Sequence, residues 1–240
     1  MMKNHKNEGT ALEKWKRQKA EGQPIAEHIL YIIKAGLSAA PFVGAIASLM
    51  SDYIPTSRAK RLEEFTEQIA KDLLRLQDSV DAKYLNTSDF AFMFEKSFRA
   101  VAEYPQNEKL QAFRGILVNS AINKDLAEEE KEYFLNLAMN LSTLHIRILK
   151  FMASPEKYLD ETGILKKNIH GGFSEFFPVA IPGIRLEVIR SAFDELNRFG
   201  FTNTSDSIFG TMTARQGLDL LRGRVTELGN RFIQFCTVPN

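Results

Sequence analysis

His170-Gly171-Gly172 is the stretch of this chain closest in type to a catalytic loop. Glycine-rich turns of that kind point backbone N–H groups at a developing oxyanion in esterases. The chemistry also needs a serine on a nucleophile elbow, and no G-x-S-x-G occurs anywhere in the 240 residues. The four histidines, His5, His28, His145 and His170, show neither an i, i+4 pair nor H-E-x-x-H, so their spacing offers no zinc site. Neither G-x-x-x-x-G-K-[ST] nor G-x-G-x-x-G is present to cradle phosphate. The acidic run Glu128–Glu132 could gather a hard cation, but acids at a helix start read more simply as a solvated first turn. Cys236 is the single cysteine, which excludes an internal disulfide and fits a reducing cytoplasm; a semi-buried, inert thiol is expected. The residue types therefore point to no reaction, no cofactor, no metal and no small-molecule substrate. They point to a protein that is not an enzyme.

The elements that would position any site are helices. Hydrophobic residues make up 44% of the chain and the net charge is +1, which suits a sizeable core and gives no field for nucleic acid or acidic lipid. Residues 1–22 read as a basic flexible tail without an apolar signal core, and residues 23–141 as a helical region. Leu62, Phe65, Ile69, Leu73, Leu76 and Val80 recur at helical spacing and predict one long amphipathic helix from Ser57 to about Leu85. Further helices are expected after Thr87 or Ser88, after Pro105, after Asp125, and after Ser142 or Thr143. A short one opens at Ser154-Pro155 and is closed by Gly163. The stretch 163–184, with Gly171-Gly172, Pro178, Pro182 and Gly183, reads as irregular.

Between Lys34 and Asp52 the chain runs 17 residues without a charge. Within this segment, 35–51, Gly36, Ala40, Gly44 and Ser48 fall four apart, a ridge that lets another backbone approach closely; Pro41 interrupts it. Two readings are open. It is either a buried, broken helix pair of a soluble protein, or a segment that is sheltered in one state and engages a membrane in another. Counted from Ile29 to Met50 the largely apolar stretch is 22 residues, but Lys34 inside it weighs against a simple span, since a lysine at mid-bilayer costs about 2.5–3.5 kcal/mol on insertion scales.

Residues 142–240 carry a helix, a turn, a second helix at Arg185–Phe199, a Thr/Ser/Gly-rich stretch able to form short strands, and "RVTELG" before a last helix. That order predicts a winged-helix-like unit with two or three short strands in a mainly α chain. A DNA regulator reading Arg185, Arg190 and Arg198 is the alternative from another function class. However, Glu187, Asp194 and Glu195 balance those arginines, and the region holds 12 Lys/Arg against 10 Asp/Glu, too even for strong phosphate binding. Packing or protein contact is the expected use of the unit.

Three stretches in order, "EKLQAFRGILVNSAINKD", "LSTLHIRILKFM" and "LNRFGF…RVTELGNRFIQFC", resemble the Abi-alpha family of prokaryotic abortive-infection proteins. The matching positions are Phe113, Leu117, Asn119 and Ala121; Leu141, Ser142, Ile148 and Leu149; and Leu196, Gly200, Phe201, Thr226, Gly229 and Phe232. Phe113 stands where the family carries tryptophan. The resemblance covers residues 90–236 and implies a mainly helical fold and a role in phage defence. It implies no catalytic residues. The expectation is a cytoplasmic protein, at times peripheral to the inner membrane, that works through a protein partner or self-association. The bets for helix contact or membrane insertion are Gly36, Ala40, Pro41, Gly44 and Ser48.

Overall fold

A computed structural model of the chain describes residues 56–211 and 217–239. The tail 1–22 and the whole small-residue segment, with Gly36, Ala40, Pro41, Gly44 and Ser48, lie outside the described residues. Among those described, the protein is mainly α-helical. The helices are α1 (Thr56–Arg75), α2 (Ser88–Glu103), α3 (Asn107–Ile122), α4 (Glu128–Asn140), α5 (Thr143–Ala153), α6 (Pro155–Thr162), α7 (Phe173–Ala180), α8 (Leu186–Arg198) and α9 (Glu227–Phe235). No described helix is long and apolar enough to cross a membrane. The described residues divide into two compact units, 56–103 together with Ser120–Glu128, and Tyr104–Asn119 together with the described residues from Glu129 onward.

In the first unit α1 packs on α2. Leu62, Phe65, Ile69 and Leu73 on α1 are buried, as are Phe90, Met93, Phe94, Phe98 and Val101 on α2. Each set repeats at three- and four-residue spacing, so each helix turns one apolar stripe inward. Arg58 and Arg61 donate to the carbonyls of Ala102 and Val101, which the end of α2 leaves unpaired. α1 stops ten residues short of the predicted Leu85. The polar run Gln77-Asp78-Ser79 has nothing to bury, and the chain tightens into i→i−3 turns there. Asp81 then fixes a 3₁₀ turn at Tyr84–Asn86: its carboxylate accepts from the Lys83 and Tyr84 N–H groups. The Tyr84 N–H bond holds that carboxyl below its ordinary range. Thr87, as expected, caps α2 by accepting from Phe90 N–H.

The second unit is built on α5, which packs on α6, α8 and α9. Ile146, Ile148, Leu149, Phe151 and Met152 make α5 buried on most sides. α7 is a departure from the irregular stretch expected at 163–184. Phe173, Phe176, Phe177 and Ala180 follow i, i+3, i+4, i+7 and are all buried, while Glu175 accepts from Gly172 N–H to close the N-terminus. The glycines and Pro178 hid that period. Glycine here sits before the helix, and Pro178 falls in its last turns, where one lost hydrogen bond is tolerated. Phe151, Phe173, Phe177, Phe193 and Phe209 interlock, mostly edge to face, with ring centroids 5.2–5.9 Å apart.

Gly200, at φ 76°, ends α8, and the chain returns along α9. Among the described residues the β pairing consists of an isolated antiparallel bridge, Thr202 with Val225. Within the stretch Thr202–Thr213, expected to form short strands, Asp206–Gly210 is a 3₁₀ turn, and a further 3₁₀ turn lies at Gly217–Leu221. Thr226 caps α9 through its hydroxyl, which accepts from Gly229 N–H at 3.1 Å. Gly229 has no room for a Cβ, which would stand 2.5 Å from the Phe201 carbonyl oxygen.

Candidate functional site

The buried polar groups of the second unit gather where α3 meets the ends of other helices. Asn119 is 5% exposed, and its amide nitrogen lies 2.9 Å from the carbonyls of Phe235 and Thr237, 3.0 Å from Gly115 O and 3.3 Å from Gln234 O. A helix C-terminus leaves its last carbonyls without intrahelical donors. Asn119 answers those of α9. One turn earlier, Gly115 brings the α3 backbone against the chain: a Cβ there would lie 2.3 Å from Cys236 C and O.

Lys109 does for α4 what Asn119 does for α9. It is 3% exposed, its ammonium donates to Ala138 O at 2.6 Å and Met139 O at 3.0 Å, and it lies 4.6 Å from the Tyr104 ring centroid. A cation at a helix C-terminus also meets the negative end of the helix dipole. Burial lowers its pKa to about 8, so a share of the amine is neutral under mildly alkaline conditions. A neutral lysine is a nucleophile only when substrate can reach it. Here the amine is enclosed and occupied by two carbonyls.

Ser142, His145 and Glu195 lie in a line that resembles a nucleophile, base and acid. Ser142 Oγ is 2.7 Å from His145 Nδ1, and His145 Nε2 is 3.1 Å from Glu195 Oε2. The local bonding gives a different role. Ser142 N–H donates to Nδ1 at 3.1 Å, while Ser142 Oγ accepts from His145 N–H, a reciprocal cap on α5. Nδ1 is therefore already spent on a backbone donor and is a poor proton acceptor for the hydroxyl. Burial, the largest influence, holds the imidazole below its ordinary pKa against the pull of Glu195.

Cys236 is 1% exposed, not semi-buried as expected, and desolvation pushes its thiol up to about 12. It stays a thiol at neutral pH and is no nucleophile. His170 is exposed, and the Gly171 carbonyl beside it accepts from Gly217 N–H. In the acidic run, Glu130 pairs with Arg231, whereas Lys131 is 3% exposed, against the reading of a wholly solvated turn. No group of three or more His, Cys, Asp or Glu among the described residues is placed to hold a metal.

The arginines of the alternative reading are each matched to a carboxylate. Arg185 lies 3.2 Å from Glu187, Arg190 2.7 Å from Asp206 and Arg198 3.3 Å from Asp194. Such exposed pairs contribute little stability, but they cancel the positive field that phosphate binding needs.

The residues behind the family likeness thus come together as fasteners. Asn119, Ser142, Gly200, Thr226 and Gly229 cap helices or allow close approach, and Phe113, Leu117, Ile148, Leu149, Leu196, Phe201 and Phe232 fill the core around them. Sequence reasoning did not single out Lys109, Gly115 or His145 for these roles. One signal was present: Lys109, Ala112, Phe113, Ile116 and Ser120 recur at three- and four-residue spacing, placing a lysine on the buried face of α3. Ser142-x-x-His145 has the spacing of a capping box, with histidine where glutamate or glutamine is usual. No protein-family model, curated protein or solved structure matches the chain.

Proposed function

We propose that this chain is a non-enzymatic phage-defence protein of the abortive-infection type in the bacterial cytoplasm. It acts by protein contacts or by bringing segment 35–51 to the inner membrane. The observation that supports this reading most is the use made of the motif residues. The positions shared with the Abi-alpha pattern are spent on helix ends and backbone approaches, as Asn119 is on α9, so what the resemblance preserves is a scaffold and not a reactive centre. The run of α8, the Gly200 turn, the Thr202–Val225 bridge and α9 is what a winged-helix-like module used for packing would contain. The paired arginines of α8 favour protein contact over DNA.

The test is expression in phage-challenged bacteria, comparing the full chain with a variant lacking residues 35–51. Protection that collapses on deletion, accompanied by loss of membrane potential after infection, supports membrane engagement. Protection that survives deletion with normal polarisation supports protein contacts alone. No protection by the full chain against any of a broad phage panel sinks the defence reading. Within the segment, Gly44→Leu should impair protection more than Ala45→Leu, since only the former lies on the small-residue ridge.

A further inference from the structure

We draw no further inference here: the strongest candidate, the apolar corner where α7 turns into α8 with Val179, Pro182 and Val188 exposed, is a surface patch for which nothing in the structure shows what covers it.

Discussion

Replacing Asn119 by alanine should open the end of α9. The side-chain nitrogen carries two hydrogens and has four carbonyls within 3.3 Å, so it supplies about two hydrogen bonds' worth of bonding. Gly115 O lies inside α3 and Gln234 O also accepts from Thr237 N–H, which leaves the carbonyls of Phe235 and Thr237 as the ones stranded by truncation. A buried acceptor left without a donor costs about 1–3 kcal/mol, so the substitution should cost about 3 kcal/mol in all. Cys236 sits within that stretch, is the single cysteine and is 1% exposed, which makes it a reporter of opening. At about 1.4 kcal/mol per factor of ten, its labelling by an aromatic disulfide should speed up on the order of 100-fold when reclosing outpaces reaction. Asn119→Asp, which replaces the donors with a carboxylate among carbonyls, should be faster still. Labelling of Asn119→Ala within about threefold of wild type, at an unchanged unfolding midpoint, would refute the reasoning.

Two glycines should respond differently to the same change. Gly115→Ala pushes a methyl to 2.3 Å from the Cys236 backbone and should cost about 3 kcal/mol or more in urea unfolding, whereas Gly163→Ala, at φ 70° with nothing within 4 Å, should cost only the left-handed strain of about 1–2 kcal/mol. Lys109→Met keeps the packed stem but removes the donors to Ala138 and Met139, and should lower the thermal midpoint at pH 7. The wild type should gain stability as pH rises past about 8, because the folded amine gives up its proton before the unfolded one near 10.5; the difference between wild type and Lys109→Met should therefore grow from about pH 7 to about pH 9. A difference that stays constant or shrinks over that range would show the lysine is not desolvated.

Several helix starts and ends were legible from single residues. Ser142, Thr87, Thr226 and Pro155 sit where capping rules place them, and Gly163 and Gly200 end helices with positive φ. α1 read too long because Leu76 and Val80 continue its period, while the event that ends it, the Asp81 carboxylate gathering two N–H groups, is a side-chain choice that periodicity does not register. α7 was missed for the opposite reason: four inward residues are a short signal beside two glycines and a proline. The polar seam was the least legible part. Asn119 was visible as a motif position, but its partners lie 115 to 118 residues away, and no local rule links them. Lys109 looked like any helix lysine until α4 was placed over it.

That distance along the chain bears on how the protein comes off the ribosome. α3 emerges more than a hundred residues before the carbonyls that Asn119 must cap, so its buried asparagine and glycine wait without their partners until residues 234–237 have been made. The second unit can gather apolar surface during synthesis but completes its polar seam only after α9 leaves the exit tunnel. A stalled or truncated chain lacking those few residues would keep most of its helices and lose the tie between α3 and α9, leaving the cell's quality-control proteases an open end to grip.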